Sequence, residues 1–231
     1  MASPYFFEET LPLSNEFIVS EDTSRHISQI LRMKEGEEMI ITNGQGYTLT
    51  AVIVSPDKKK TKVKIIKKEF LEKPVPKIAI AISLIKNNNR FELFAEKATE
   101  IGVSAIIPLI CSRTEKTHFK KERTRSILIS AMLQSQQSWL PELQEPQKIS
   151  EVIKNENYEQ KFIAHCVEEA KKELKELIQK NTSKIILIGP EGDFTEEEIE
   201  AAIKNNYTPV SLGETRLRTE TAGIVAAVLL K

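Results

Sequence analysis

Three of the eight glycines, Gly189, Gly192 and Gly213, stand where short apolar runs give way to helical patterns. Ile188-Gly189-Pro190-Glu191-Gly192 leads into one such helix, and Leu212-Gly213-Glu214-Thr215-Arg216-Leu217-Arg218 leads into another. Glycine lets a ligand approach the backbone closely and tolerates positive φ. Backbone amides in loops of this kind can bind an adenine edge or a ribose without charged side chains. Each loop taken alone is equally an ordinary strand-to-helix turn in which glycine serves geometry only.

The rest of the sequence narrows the chemistry by what it lacks. There is no GxGxxG, no GxxxxGK[ST] and no GxSxG, so the common dinucleotide, P-loop and hydrolase signatures are missing. The histidines His26, His118 and His165 and the cysteines Cys111 and Cys166 have no zinc-ligand spacing, and the scattered aspartates Asp22, Asp57 and Asp193 argue against a carboxylate metal cluster. The sequence therefore predicts no metal. The two cysteines read as buried free thiols in a reducing cytoplasm. No apolar run approaches the ~20 residues of a membrane helix, and residues 1–13 lack the basic-then-apolar order of a signal peptide. A cytoplasmic protein without a membrane partner is the expectation.

The formal net charge is zero, but the charge is unevenly spread. Lys58, Lys59, Lys60, Lys62, Lys64, Lys67 and Lys68 form a run without an acid between them. A second stripe holds Arg113, Lys116, Lys120, Lys121, Arg123 and Arg125 against Glu115 and Glu122. Either run alone is most simply a solvated face. Two in a neutral chain make a polyanionic partner plausible, because a local stripe sets the electrostatic footprint.

These residues need elements to position them. Residues 38–42 and 47–55, joined by Asn43-Gly44-Gln45-Gly46, read as a hairpin, and 61–70 as a half-exposed strand. A helix capped near Ser20 runs through Ile27, Ile30 and Leu31, whose spacing marks one face. A small β-barrel with one helix fits residues 1–73. Glu72-Lys73-Pro74-Val75-Pro76 can continue neither strand nor helix, so 74–76 is a linker. From 77 to 231 strands (78–83, 105–107, 162–166, 184–188, 210–212) alternate with helices (90–101, 124–138, 168–179, 195–205, 219–230). That order predicts an α/β domain with a mostly parallel sheet. Thr195 and Glu198 have capping-box spacing. The last helix is apolar nearly all round, which predicts deep burial or a subunit interface.

Taken together, IGPEGDFTEEEI (188–199) and SLGETRLRTETA (211–222) resemble the RsmE family of 16S ribosomal RNA uracil-N3 methyltransferases of the SPOUT superfamily. The resemblance extends over nearly the whole chain. Residues 25–37, with Arg25, His26 and Arg32, are similar to the family's His-x-x-x-Val-Leu-Arg segment. Residues 86–90 and then Lys97-Ala98-Thr99-Glu100-Ile101-Gly102-Val103 match its middle region, with Ile107-Pro108-Leu109 and Arg113 following. The family often has glycine where Asp193 stands, and usually a basic residue where Gln137 stands.

The resemblance implies a PUA-like RNA-binding barrel over 1–73 and a SPOUT methyltransferase domain with a deep trefoil knot over 77–231. It implies a homodimer, S-adenosylmethionine as cofactor and 16S rRNA of the small ribosomal subunit as partner. The expected cofactor contacts are Ile188, Gly189, Glu191, Gly192, Leu212, Gly213, Leu217 and Arg218. The expected RNA contacts are Arg25, His26, Arg32, Lys86, Arg90, Arg113, Lys120, Lys121 and Arg123. For catalysis, Arg218 is the candidate cation beside the uracil anion. Glu220 is either the proton acceptor or a first-turn helix carboxylate. A non-catalytic RNA-binding protein would have no need of the paired glycine loops. An enzyme using another adenine nucleotide would be expected to carry a lysine beside 189–192.

Overall fold

The computed structural model describes residues 3–167 and 171–231. The chain forms two compact units that do not follow its linear order. One comprises Met1–Lys73 with Met132–Leu140, the other Pro74–Ala131 with Pro141–Lys231.

In the first unit, β1 (Tyr5–Phe7), β2 (Glu16–Ile18), β3 (Glu38–Thr42), β4 (Tyr47–Ser55) and β5 (Lys62–Phe70) make a sheet in the order β1-β3-β4-β5-β2. Alternation decides the facing: Leu49, Ala51, Ile53 and Val63 point into a core with Phe6, Ile27, Met39 and Ile41, while Lys62 and Lys64 face water. The Ser20 hydroxyl accepts the Thr23 N–H at 3.3 Å and caps α1 (Glu21–Arg25). The expected single helical face does not continue. Residues His26–Ile30 widen into a π-helical turn and Arg32 takes φ +54°, so Ile27 is buried while Ile30 and Leu31 are turned outward.

The second unit runs β6 (Ile78–Ser83), α2 (Asn88–Ile101), β7 (Ala105–Ile110), α3 (Lys121–Gln134), β8 (Glu142–Leu143), β9 (Gln147–Lys148), α4 (Ile149–Val152), β10 (Gln160–Ala164), β11 (Lys172–Glu173), α5 (Leu174–Leu177), β12 (Lys184–Ile188), α6 (Glu196–Lys204), β13 (Thr208–Ser211) and α7 (Thr219–Leu230). The sheet order is β11-β13-β10-β12-β6-β7-β8, with β9 also on β7, and every pairing is parallel. β6 and β12 lie centrally and are buried along their whole length, as continuously apolar strands covered on both faces must be. α7 packs on α2, β6 and β12.

Three expected elements change. The strand at 105–107 continues through Pro108 to Ile110. Ile106 O accepts from Gln144 N, and Leu109 O accepts from Leu84 N on the opposite side. Pro108 shares the side of Ile106, and its missing N–H falls where β8 has ended and β9 has not begun. The helix expected over 124–138 stops at Gln134, because Gln136 takes φ +56° and Ser138 O accepts the Gly46 N–H. The helix expected over 168–179 shrinks to one turn at Leu174–Leu177. Residues 172–173 instead extend the sheet edge on β13, and 168–170 lie outside the described residues. Ala170, Leu174, Leu177 and Ile178 alone give that segment an apolar stripe, too short to outcompete a strand edge.

Candidate functional site

β13, β10 and β12 are neighbours and run parallel, so the loops after their carboxyl ends open on one edge of the sheet. Ligands of open α/β sheets bind outside such ends. Two adjoining cavities lie there. One, of about 360 Å³, is lined by Arg90, Ile188, Gly189, Pro190, Glu191, Asp193, Leu217, Arg218 and Thr219. The other, of about 500 Å³, is lined by His165, Lys171, Val210, Leu212, Gly213 and Glu214. Ala164, Cys166, Arg216, Leu217 and Ala222 border both, which makes one cleft of ligand size.

The loop after β12 is held from three directions. Arg113 Nη1 donates to Gly192 O at 2.7 Å and to Phe194 O at 3.2 Å. Asp193 stands at φ +64°, and its carboxylate accepts from Cys166 N at 2.7 Å and Phe194 N at 2.8 Å. Thr195 and Glu198 complete the capping box of α6, and Glu198 also accepts from Ser112 N at 2.7 Å. A side chain on Gly192 would meet the Arg113 stem at 3.3 Å. Gly192 packs against Arg113 and is not among the residues that line the cleft. Gly213 serves backbone geometry: its φ is +130° and the space around a Cβ there is open.

Arg218 is the N-cap residue of α7 and borders the cleft, and its guanidinium has no partner among the described residues. Glu220 lies in the first turn of α7, 7% exposed, with Arg90 Nε 3.6 Å from its carboxylate. Lys171 Nζ donates to His165 O at 2.7 Å and Val167 O at 2.6 Å and lies 3.2 Å from His165 Nδ1. Burial pushes the Cys111 thiol up to about 12, with Glu198 adding to the shift, so Cys111 stays a protonated core thiol, whereas Cys166, expected to be buried, is exposed at the cleft.

The residues expected to meet RNA are largely engaged in ion pairs. Arg123 binds Glu92 through Nε and Nη2 at 2.5 and 2.8 Å, and this hydrogen bonding holds the Glu92 carboxyl below its ordinary value. Lys121 pairs with Glu145 at 2.5 Å and Lys86 with Glu115 at 2.7 Å. Arg25 pairs with Glu21 at 3.1 Å and Asp22 at 3.6 Å. Lys120 forms no salt bridge among the described residues, His26 lies edge-on to Phe6, and Arg32 borders a surface pocket with Lys58 and Lys59. The structure thus brings Arg90 and the cofactor-loop residues except Gly192 to one cleft, ties Arg113 to the loop behind it, and leaves the rest of the basic stripe off the cleft lining. Sequence reasoning missed Ala164, Cys166 and Asp193. The only sequence signal for the first two is their place at and just after a strand end.

Residues 71–231 match the RNA methyltransferase domain family, and residues 19–66 match the RNA methyltransferase PUA domain. The chain belongs to the RsmE family of RNA methyltransferases. A ribosomal RNA small subunit methyltransferase E of Buchnera aphidicola is 29% identical over 98% of this chain and 91% of its own length. A Porphyromonas gingivalis chain assigned to the rRNA methyltransferases superposes with a TM-score of 0.91 at 36% identity, covering 97% of this chain and 95% of that one. The Neisseria gonorrhoeae ribosomal RNA small subunit methyltransferase E, determined with S-adenosylmethionine bound, gives 0.87 at 25% identity over 98% and 95%. The RsmE-family fold accounts for the α/β unit with its parallel sheet and the PUA-like unit before it. No helix among the described residues is long and apolar enough to cross a membrane, and none of their His, Cys, Asp and Glu side chains group in threes as a metal site would need.

Proposed function

We propose that the protein methylates N3 of a uridine in 16S ribosomal RNA of the small ribosomal subunit, using S-adenosylmethionine, as a cytoplasmic homodimer. The cleft at the carboxyl ends of β10, β12 and β13, in a chain of this family, carries the reading. Its walls suit the cofactor. Ile188, Leu212, Leu217 and Ala222 offer apolar surface to a flat base, and the peptide groups of Gly189, Glu191 and Gly213 offer hydrogen bonds. Gly192 contributes through the loop it keeps against Arg113.

When bound, S-adenosylmethionine supplies an electrophilic methyl group for in-line displacement. The chain's task is to hold the uracil in line and stabilise the charge left as the N3 proton departs. Arg218, without a partner among the described residues, is the cation for that charge, with Arg216 beside it. Glu220 either accepts the proton or braces Arg90 at the cleft wall. Lys120, Arg32 and His26 are the RNA contacts least tied up within the chain, and Arg25, Lys86, Arg113, Lys121 and Arg123 must trade internal partners to reach RNA. The homodimer is supported by α7, whose Val228 is 58% exposed beside half-buried Ile224, Val225 and Leu229. The trefoil-knotted thread belongs to the same proposal.

The deciding experiment combines calorimetric titration with S-adenosylmethionine and methylation of small-subunit particles, followed by mapping of the methyl group. Cofactor uptake with a new methyl at a uridine N3 is expected. Tight ATP or NAD binding without S-adenosylmethionine uptake, or methyl transfer to another base, would overturn the proposal.

A further inference from the structure

Tyr47 and Phe70 sit at paired ends of β4 and β5, 37% and 54% exposed, with ring centroids 4.7 Å apart. Trp139 continues the row, its ring centroid 6.3 Å from that of Phe70. All three belong to the first unit, although Trp139 comes from the 132–140 segment. The row is built, not incidental. Trp139 Nε1 donates to Leu71 O at 2.8 Å, Gly46 N donates to Ser138 O at 2.8 Å, and Gln45 bridges to Trp139. A Cβ on Gly46 would fall 2.6 Å from the Trp139 ring, so the ring's seat requires glycine there. Lysines flank the row: Lys68 Nζ lies 4.9 Å from the Tyr47 centroid and Lys73 Nζ 5.5 Å from that of Trp139.

Exposed Tyr47 and Phe70 and half-buried Trp139, with lysines beside them, suit one class of partner. Unpaired nucleobases stack on aromatic rings while lysines meet the phosphates. A lysine over an exposed ring is held weakly enough for a base to displace it. Duplex RNA keeps its bases stacked inside and offers such a row only its backbone. We propose that Tyr47, Phe70 and Trp139, with Lys68 and Lys73, form a stacking platform for single-stranded RNA, which grips unpaired nucleotides of the substrate. This rests on the reading that RNA is the substrate, and it adds a site that none of the residues assigned above provides.

Trp139 is the chain's single tryptophan, so its fluorescence reports the site directly. The full-length protein is titrated with a short oligouridylate and with a blunt RNA duplex of equal length, and binding is followed in parallel by anisotropy of labelled RNA. Quenching of Trp139 by the single strand and weaker quenching by the duplex are expected. Phe70→Ala should weaken single-strand binding about tenfold, Phe70→Tyr should retain it, and Lys68→Ala with Lys73→Ala should flatten its salt dependence. No binding of the single strand, binding without a Trp139 response, equal response to the duplex, or unchanged affinity in Phe70→Ala would overturn the platform. A changed association state in Phe70→Ala with RNA affinity intact would assign the surface to protein contact and equally overturn it. Calorimetry with S-adenosylmethionine on the same samples separates the two readings. Normal cofactor uptake with a silent Trp139 overturns the platform alone, whereas lost uptake with a quenched Trp139 overturns the methyltransferase assignment alone.

Discussion

The Arg113 guanidinium donates to the Gly192 carbonyl at 2.7 Å while the Arg113 stem fills the space a Gly192 side chain would need. The two residues act as one brace on the loop after β12. Because their effects share that contact, they should not add. Arg113→Ala removes two charge-assisted hydrogen bonds at a partly exposed site, which should cost about 1 kcal/mol and about a fivefold loss of S-adenosylmethionine affinity. Gly192→Val should weaken cofactor binding in the native background by pushing Arg113 aside, and weaken it much less when residue 113 is already alanine. Additive losses in the double variant would mean that Gly192 meets the ligand itself.

Asp193 occupies a left-handed backbone position that favours glycine, and its carboxylate accepts from the Cys166 and Phe194 amides. Left-handed geometry costs an ordinary residue about 1–2 kcal/mol, and aspartate is among the few that tolerate it. Asp193→Gly should relieve strain and cut the tether to the β10 loop, so stability changes little while cofactor affinity falls. Asp193→Ala keeps the strain and loses both hydrogen bonds, a combined loss of about 2 kcal/mol. Denaturant titration and calorimetry on the two variants check this. An alanine variant as stable as the native protein would refute the tether.

Local signals were legible in the sequence and non-local ones were not. The Thr195–Glu198 capping box and the outward Lys62 and Lys64 follow from spacing within one element, and they hold. The braces on the cofactor loop join residues 79 positions apart at Arg113 and Gly192, and 27 apart at Cys166 and Asp193. The Cys166–Asp193 brace exists only once the sheet order makes β10 and β12 neighbours, and the Arg113–Gly192 brace only once β6 sets β7 and β12 on its two sides, which no periodicity reveals. For the basic stripe, residue type shows charge but not pairing. Arg123 reads as a phosphate contact until α2 brings Glu92 against it. The helix expected over 124–138 overruns Gln134 because Gly46, which claims the Ser138 carbonyl, lies far away in sequence.

The Glu92–Arg123 pair gives a pH-dependent prediction. The Glu92 carboxyl is held below its ordinary value of 4.5, chiefly by the Arg123 hydrogen bond. A carboxylate depressed in the folded state contributes stability that is fully present above the unfolded value and lost as pH falls through the folded one. Arg123→Met should therefore lower the melting temperature at pH 7, and the gap to the native protein should close as pH drops below 4.5. Thermal melts across that range decide it. A gap that stays constant with pH would locate the effect in lost packing of the arginine stem.

Arg218 and Glu220 sit two residues apart at the start of α7, yet their surroundings separate their roles. Arg218 is exposed at the cleft with no partner among the described residues, whereas Glu220 is buried against Arg90. A cation that meets charge developing only in the transition state changes the rate with little effect on cofactor affinity. Arg218→Ala should therefore bind S-adenosylmethionine almost normally and methylate small-subunit particles about a hundredfold more slowly. Lysine there should restore part of the rate, because it keeps the charge without the planar fork. Glu220→Gln keeps the shape and removes the charge. If Glu220 takes the proton, the variant loses rate with Arg90 and the fold undisturbed. If Glu220 braces Arg90, cofactor affinity and melting temperature fall together with the rate, since Arg90 borders the cleft. Single-turnover methylation with cofactor affinity measured alongside distinguishes these outcomes. Arg218→Ala losing affinity and rate in equal measure would make Arg218 a cofactor-loop scaffold and leave the uracil anion without its proposed partner.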